Sequence, residues 1–207
     1  MSDPRTQLVA ETYDAIADRF VEWQDVIVDD PRRTWADALA SRLPVGSRVL
    51  ELGCGAGLRE TKLLAERFVV TGIDISPEQI ARATVNVPGA KFLQADLTEL
   101  DLEPSSFEAV ASFYAFNHVP RNLLADVFGR IHGWLIPDGL FLVSLGASDL
   151  PDWTGEWLGV TTFFSGFPPE TNRSLLCEAG FELELDEVGE FREPEGSAQF
   201  HWVLARR

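Results

Sequence analysis

Cysteine is scarce in this sequence. Cys54 and Cys177 are the only two in 207 residues, and neither has the spacing of a CxxC pair or of a zinc ligand. This scarcity favours a reducing compartment, so we expect a cytoplasmic protein. No other constellation of metal ligands stands out, and we predict no metal site.

Positive charge is also scarce. The 17 lysine and arginine residues stand against 33 aspartate and glutamate residues, which gives a formal net charge of -16. Such a charge repels a phosphate backbone and an anionic membrane surface alike, and no Lys/Arg cluster offsets it. We therefore expect a small-molecule acceptor as partner, with no nucleic acid and no membrane.

Long apolar runs are missing as well. No stretch reaches the roughly 20 apolar residues of a membrane span, and the N-terminus has no apolar core of signal-peptide length. Hydrophobic residues nevertheless make up 45% of the sequence and charged residues 24%, which is ordinary globular usage. At this length we expect one domain covering residues 1–207.

Apolar runs and helical segments alternate through most of the chain. The first 43 residues predict two helices, and from Ser47 onward short apolar runs alternate with helices. This alternation predicts an α/β fold with a Rossmann-like, doubly wound sheet. We expect residues 1–45 to form a helical lid and residues 46–207 the core. The predicted strands are RVLEL, VVTGIDI, KFLQA, FEAVASFY, LFLVSLGA, FELELDEVGEF and SAQFHWVLARR.

The last two predicted strands should form a hairpin. Their link, REPEGS, is too short for a crossover helix, so they should pair antiparallel at the end of a mostly parallel, seven-stranded sheet. After the fifth strand, WTGEWLGVTTFFSGFPP is predicted to be an aromatic-rich connection. Its aromatic side chains either wall an apolar acceptor pocket or form a satellite core.

A glycine-rich turn follows the first strand directly. In the run Glu51-Leu52-Gly53-Cys54-Gly55-Ala56-Gly57, the glycines permit positive φ and close approach of a ligand, and the next helix offers unpaired N–H groups. The dinucleotide fingerprint G-x-G-x-x-G/A does not fit, because Leu58 stands at its third glycine position. An NAD-dependent dehydrogenase is therefore the least favoured interpretation.

Carboxylates follow three predicted strands. Asp74 ends the second strand, where it can accept hydrogen bonds from both hydroxyls of a ribose. Glu51 would oppose a diphosphate but suits a ligand that carries an ammonium group and a sulfonium. Asp96 either accepts from an adenine amino group or caps its own turn. Because parallel strands end at one edge of the sheet, the three acids should lie in one crevice.

These motifs together resemble a known family. VLELGCGAG, VTGIDIS, FLQADLTEL and FEAVASFYAFNHVP, in this order and spacing, are similar to class I S-adenosylmethionine (SAM)-dependent methyltransferases, whose seventh strand runs against the others. The resemblance implies SAM as cofactor and S-adenosylhomocysteine (SAH) as product. It implies that Glu51 and the glycine loop hold the methionine end and that Asp74 holds the ribose. Asp96 and Leu97 would hold the adenine. The other residues placed beside the cofactor are Gly53, Gly55, Gly57, Ile75, Phe113 and, from the helical cover, Tyr13, for which packing is the alternative role.

One histidine lies at the same edge of the predicted sheet. His118 follows the fourth strand and is the candidate catalytic base for an acceptor that must lose a proton. The alternative is a histidine that hydrogen-bonds locally and packs under its loop, and the neighbouring Asn117 is a weaker candidate. Alignment and exclusion of water can supply most of the acceleration of methyl transfer, so a base is optional.

The sequence thus predicts a SAM-dependent methyltransferase that acts on a small, largely apolar metabolite. Oxygen is favoured over nitrogen or carbon as the acceptor atom by the family resemblance alone. The alternative is a SAM-binding protein of the same fold that catalyses or assists a reaction without methyl transfer, such as a cyclisation.

Overall fold

The computed structural model describes residues 3–194 and 196–207. Its main sheet has the strand order β3-β2-β1-β4-β5-β9-β8, and a second sheet pairs β6 with β7. The strands are β1 (Arg48–Leu52), β2 (Val69–Asp74), β3 (Lys91–Gln94), β4 (Phe107–Ser112), β5 (Leu135–Gly146), β6 (Leu150–Trp157), β7 (Val160–Gly166), β8 (Glu182–Glu193) and β9 (Gly196–Arg206). The helices are α1 (Pro4–Ala15), α2 (Ala17–Asp25), α3 (Arg32–Ala40), α4 (Glu60–Ala65), α5 (Pro77–Asn86), α6 (Leu124–Trp134) and α7 (Pro169–Glu178), with 3-10 turns at Phe116–His118 and Arg121–Leu123. Within the described ranges, none of these helices combines the length and apolar content needed to cross a lipid bilayer.

The main sheet is parallel except at β9. The strands β3, β2, β1, β4 and β5 pair in parallel, whereas β9 runs antiparallel to both β5 and β8. This arrangement confirms the predicted seven-stranded, mostly parallel sheet with an antiparallel C-terminal strand. The chain order reverses at β1, which lies between β2 and β4, so a crevice opens at the carboxyl ends of these strands.

Both faces of the sheet are covered by helices, as a doubly wound fold requires. Alternation along β5 shows the two layers directly, because successive side chains of a strand point to opposite faces. Phe141 and Val143 belong to the core under α6 and α7. Leu140 and Leu142 belong to a second core that includes Trp35 of α3. Burial of each such side chain stabilises the fold by about 1.5–3 kcal/mol.

The N-terminal region forms three helices, one more than predicted. The first predicted helix is interrupted at Ile16, whose φ of -105° and ψ of 7° leave the helical region between α1 and α2. The Ile16 side chain is completely buried, so packing rather than the amphipathic period decides the backbone at this point. The next helix begins as expected near Asp30, whose carboxylate accepts a hydrogen bond from the N–H of Arg32 at 3.0 Å.

The segment that follows β5 forms a hairpin where the sequence predicts an irregular connection. Strands β6 and β7 pair antiparallel and are joined through Leu158 and Gly159, with φ values of 48° and 75°. Positive φ at both central residues is the requirement of a two-residue hairpin turn that matches the strand twist. The hairpin packs against α1, where the Thr12 hydroxyl donates to the Thr161 carbonyl at 3.0 Å.

Candidate active site

A cavity of about 340 Å³ opens at the carboxyl ends of the central strands. Helices α1 and α2 and the β6–β7 hairpin contribute its other walls, so residues distant in the sequence meet around one space. Of the residues that the sequence predicts for the site, those that line the cavity are Tyr13, Glu51, Gly53, Gly55, Asp74, Ile75, Asp96, Leu97, Phe113 and His118. Gly57 is not among the lining residues.

The three glycines of the loop after β1 have different surroundings. All three have positive φ, at 74° for Gly53, 53° for Gly55 and 70° for Gly57. A Cβ on Gly53 would lie 2.3 Å from the Cβ of Ala115, whereas a Cβ on Gly55 would meet nothing closer than 3.8 Å. A Cβ on Gly57 would lie 3.0 Å from the backbone of Ala83 in α5. Gly55 thus borders open space, and Gly57 lets the loop pack against a helix.

Glu51 ends β1 as a buried carboxyl group. Its side-chain oxygen Oε2 has no hydrogen-bond partner among the described residues. Burial, together with the negative charges of Glu60 and Asp74, raises the pKa of Glu51 to about 8. Burial of a carboxyl oxygen that has no hydrogen-bond partner costs free energy. This oxygen is therefore positioned for a positively charged or hydrogen-bond-donating ligand.

Asp74 holds the glycine loop and the start of α5 together. Its carboxylate accepts from the N–H of Gly55 at 2.8 Å and from the N–H of Ser76 at 3.0 Å. Burial raises the pKa of Asp74 to about 6, although these backbone donors act in the opposite direction. Each carboxylate oxygen has a second lone pair, so both oxygens keep capacity to accept from a ligand.

One carboxylate oxygen of Asp96 accepts hydrogen bonds within its own turn, and the other has no partner among the described residues. Its Oδ1 accepts from the backbone N–H of Thr98 at 2.8 Å and from the Thr98 hydroxyl at 2.7 Å. This is the turn that Asp residues commonly stabilise. Its Oδ2 is buried and meets no partner in the part of the chain that the structure describes. The two roles considered for Asp96 are therefore compatible with each other.

His118 is a buried, oriented imidazole. Its Nδ1 lies 2.8 Å from the carbonyl oxygen of Phe163, so Nδ1 carries the proton and donates it there. Its Nε2 then accepts from the hydroxyl of Tyr13 at 2.9 Å. Burial lowers the pKa of His118 to about 4. The ring is therefore neutral at pH 7, with its basic nitrogen turned towards Tyr13.

Aromatic rings surround this histidine. Tyr13 and Phe20 meet edge to face with ring centroids 5.1 Å apart, and Trp23 and Trp157 do so at 5.4 Å. Phe164 of the hairpin lies 4.6 Å from the imidazole of His118. We call Tyr13, Phe20, Trp23, Trp157 and Phe164 the aromatic chamber. It joins α1, α2 and the hairpin, and all five rings line the cavity.

A buried arginine that sequence reasoning does not identify also lines the cavity. Arg32 pairs with Asp30 at 2.6 Å and with Glu60 at 3.3 Å, and its guanidinium lies over the ring of Tyr114, 5.2 Å from the centroid. The Tyr114 hydroxyl donates to Asp30 at 2.9 Å. In the sequence, Asp30-Pro31-Arg32 signals only a helix start, and no motif indicates that this arginine is buried.

Helix α1 is fixed to the start of α5, at one side of the cavity, through its C-terminal turn. The Asp14 carboxylate accepts from the Ser76 hydroxyl and from the N–H of Glu78 at 3.3 Å. The amide of Gln79 donates to the Tyr13 carbonyl at 3.3 Å. These contacts hold Tyr13 beside His118, where burial and, less strongly, the charges of Asp74 and Glu193 raise the pKa of the Tyr13 hydroxyl.

Comparisons with known proteins identify the fold and its chemistry. A model of the methyltransferase domain family matches residues 49–139. An uncharacterised methyltransferase of Synechocystis sp. is 31% identical over 147 residues, which are 67% of this chain and 68% of that protein. The chain spans about half the length of other curated relatives, 53% of one from Bacillus subtilis and 54% of one from Geobacillus sp..

Solved structures agree with the family match. The 1,6-didemethyltoxoflavin-N1-methyltransferase of Burkholderia thailandensis, solved with its acceptor and SAH, is 22% identical with a TM-score of 0.76, and the alignment covers 100% of this chain and 91% of that one. The [4+2]-cyclase SpnF is 18% identical with a TM-score of 0.77, covering 100% of this chain and 98% of that one. At these identities the likeness concerns the fold.

The described residues fit SAM as the cofactor. The partnerless oxygen of Glu51 suits an ammonium group, the partnerless oxygen of Asp96 suits an amino group, and Gly55 borders open space. The family match implies the same cofactor. The chain belongs to the class I SAM-dependent methyltransferases.

Proposed function

We propose that this methyltransferase methylates an oxygen atom of a small, largely apolar metabolite. The observation that carries the proposal is the orientation of His118, whose basic Nε2 faces a chamber of aromatic rings. A hydroxyl group must lose a proton when it is methylated, and a neutral imidazole beside it can accept that proton as a general base. When bound, SAM supplies an electrophilic methyl group on its sulfonium.

The cofactor would be held along the ends of β1, β2 and β3. Glu51 and the loop from Gly53 to Gly55 would bind the methionine end, with the carboxylate of Glu51 opposite the ammonium group. Gly57 would act indirectly, by keeping this loop against α5. Arg32 lines the same cavity, with its guanidinium group held by Asp30 and Glu60.

The nucleoside end would lie against the next two strand ends. Asp74 would accept hydrogen bonds from the ribose hydroxyls, with Ile75 beside it. The second oxygen of Asp96 would accept from the adenine amino group, with Leu97 against the ring. Phe113 lines the cavity at the end of β4, and Tyr13 would close the cofactor site on the side of α1.

Residues 1–45 would serve as the cover of a single domain and residues 46–207 as its core. The support is the position of α1 and α2 over the cavity, with α1 tied to α5 through Asp14 and to the hairpin through Thr12. A cover of this kind excludes water from the reacting groups, which strengthens every electrostatic interaction between them. It also orders the aromatic chamber next to the cofactor.

His118 would act as the base. Its bond to the Phe163 carbonyl fixes the tautomer with Nε2 unprotonated, and its low pKa keeps that nitrogen free of protons at neutral pH. The acceptor hydroxyl would donate to Nε2 and transfer its proton there as the oxygen is methylated. Base catalysis contributes about 100- to 10,000-fold in rate and is most efficient when the pKa of the base lies near the working pH, so His118 should contribute at the lower end of this range.

Calorimetric titration with SAH and, separately, with NADH tests the cofactor assignment. Binding of SAH alone is the expected result, and binding of NADH in its place would contradict it. The fold likeness to a [4+2]-cyclase makes a non-methylating reaction the second candidate. Formation of one SAH for each product molecule supports methyl transfer, whereas product formed without SAH supports the cyclase alternative.

A further inference from the structure

The aromatic chamber already holds one phenol on His118. The hydroxyl of Tyr13 donates to Nε2 at 2.9 Å, and its ring packs edge to face against Phe20 at 5.1 Å and against Trp157 at 6.2 Å. Building on the proposed O-methylation, we propose that the acceptor is an uncharged phenol that replaces the Tyr13 hydroxyl at Nε2 of His118. In the proposed complex, the acceptor makes the hydrogen bond and the ring contacts that Tyr13 makes in this structure.

The chemistry of the chamber favours a flat aromatic ring. Its walls come from opposite sides, with Phe20 and Trp23 on α2 and Trp157 and Phe164 on the hairpin. Trp157 lies 5.9 Å from Phe20 and 5.7 Å from Phe164, with steep interplanar angles in both pairs. Rings in these arrangements accept a further ring in the same edge-to-face or offset geometry.

The charges around the cavity exclude an anionic acceptor. Among the described lining residues, the acids are Glu51, Glu60, Asp74, Asp96 and Glu193, and the strongly basic ones are Arg32 and Arg59. Both guanidinium groups are already paired, that of Arg32 with Asp30 and Glu60 and that of Arg59 with Asp25. Glu51, Asp74 and Asp96 belong to the proposed cofactor side, and the rings of the aromatic chamber carry no charge. A carboxylate beside His118 would therefore find no unpaired cation among the described lining residues, which raises its desolvation cost.

The Tyr13 side chain has room to give way. It is only half-buried, because one side of its ring faces the cavity. Besides the contacts of the Tyr13 side chain, the Tyr13 carbonyl and Asp14 also fix this part of α1. A change of the Tyr13 rotamer towards the cavity would free Nε2 of His118, while the contacts of the Tyr13 carbonyl and Asp14 would still hold α1.

The reaction balances with the groups already named. The phenol oxygen forms a bond to the methyl carbon of the cofactor as the carbon–sulfur bond breaks, and that electron pair stays on sulfur. The phenolic proton moves to Nε2 of His118 and passes from there to solvent. The sulfonium becomes a neutral thioether and one proton is released, so the total charge is conserved.

The test uses matched probes with the protein saturated in SAH. Calorimetry measures binding of 2-naphthol, of 2-naphthoate, which carries a negative charge, and of 2-methoxynaphthalene, which lacks the O–H donor. We expect 2-naphthol to bind at least tenfold more tightly than 2-naphthoate and to be methylated when SAM replaces SAH. Equal or tighter binding of 2-naphthoate, or no binding of 2-naphthol to the SAH complex, would overturn the proposal.

The variant Tyr13→Phe removes the internal hydroxyl but keeps the ring. Because 2-naphthol no longer competes with Tyr13 for Nε2, its affinity should rise about 2- to 10-fold, the value of one net hydrogen bond. The affinity of 2-methoxynaphthalene should not change. If both probes weaken equally in this variant, Tyr13 only packs the chamber and the proposed replacement is wrong.

Two tryptophans of the same strand provide a matched pair for the chamber itself. Trp157 lines the cavity, whereas Trp153 is 42% exposed, lies outside it and, among the described residues, contacts the chamber only through the ring of Phe164, at 6.0 Å. Trp157→Ala should weaken 2-naphthol at least fivefold and Trp153→Ala less than twofold, and equal effects would place the phenol elsewhere. Binding of SAH is measured in every variant, so a lost cofactor site, which would refute the proposed function, is distinguished from a wrong acceptor class.

Discussion

The two halves of the cavity are built in different ways. On the cofactor side, short loops follow β1, β2 and β3, and the contacts that shape them are local in the fold, as between Gly55 and Asp74, 19 residues apart. On the acceptor side, the contacts join distant segments. Tyr13 and His118 are 105 residues apart, and His118 and Phe163 are 45 residues apart.

This difference has a functional consequence. The cofactor half is part of the sheet and shares its stability, so its geometry changes little between members of a fold class. The acceptor half is assembled from α1, α2 and the hairpin, which pack on the sheet from outside and can vary without disturbing it. We therefore expect substitutions in one half to leave the ligand of the other half largely unaffected.

The largest effect should come from the base of the acceptor half. His118→Asn keeps an amide donor for the Phe163 carbonyl but removes the basic nitrogen. We expect the methylation rate of a phenol that the wild type turns over to fall about 100-fold, the lower end of the range for a positioned base, as measured by SAH release at saturating SAM. A loss below about threefold would show that alignment alone drives the reaction.

The glycine loop of the cofactor half should respond next in size. Gly53→Ala places a Cβ 2.3 Å from that of Ala115 in a residue of positive φ, so overpacking and backbone strain add up. We expect a loss of about 2–5 kcal/mol in the free energy of unfolding, measured by urea denaturation. Gly55→Ala, which meets open space, should lose only about 1–2 kcal/mol. Equal losses would contradict the distinction between the two glycines.

Asp74 tests the ribose contact. Asp74→Ala should weaken SAH binding by about 1–3 kcal/mol, which is roughly 5- to 150-fold, because two charge-assisted hydrogen bonds are lost. Calorimetry measures the change, and Asp101→Ala, at an exposed loop position, is the control that should bind SAH normally. Unchanged affinity in the Asp74 variant would remove this residue from the cofactor site.

Glu51 should make SAH binding dependent on pH. Its pKa of about 8 means that the free protein is mostly protonated there at pH 7, while an ammonium group favours the ionised form. Affinity should therefore rise with pH up to about 8, by at most about tenfold per pH unit. Titrations in buffers of different ionisation enthalpy should detect release of up to about one proton at pH 7.

The same carboxyl group should affect the stability of the free protein. The folded-state pKa of about 8 lies above the ordinary value of 4.5, so the folded state binds more protons than the unfolded state between these values. Stability should fall as pH rises through this window. Glu51→Gln should flatten the decline seen by thermal unfolding between pH 6.5 and pH 8 and reduce the pH dependence of SAH binding in that range, which lies above the pKa of about 6 of Asp74. An equal change in stability from pH 6.5 to pH 8 in the wild type and in Glu51→Gln would argue against the shifted pKa.

The sheet and the cofactor half could be predicted because their signals are local. The apolar runs predicted the seven strands of the main sheet, and the short REPEGS link predicted an antiparallel pair. The glycines and acids that follow the strands indicated that a ligand site lies at the carboxyl edge of the sheet. The break at Ile16 could not be predicted in this way, because a buried isoleucine fits the helical period and only tertiary packing ends the helix there.

The acceptor half shows the limit of such reasoning. The turn residues Leu158 and Gly159 both adopt positive φ, but leucine is an unusual residue for this conformation, so the hairpin lacks its usual turn signal. The contact between Tyr13 and His118 depends on how three separate segments pack, which no local pattern encodes. The buried ion pairs of Arg32 could not be predicted either, because they also depend on tertiary packing.

The most direct test of the two-part cavity is calorimetric titration of SAH into Asp74→Ala and His118→Asn side by side with the wild type. The account predicts at least about fivefold weaker binding for the Asp74 variant, from the hydrogen bonds lost to the ribose, and wild-type affinity for the His118 variant. Equal weakening in both variants would contradict it, because the cavity would then act as one site without a separate acceptor half.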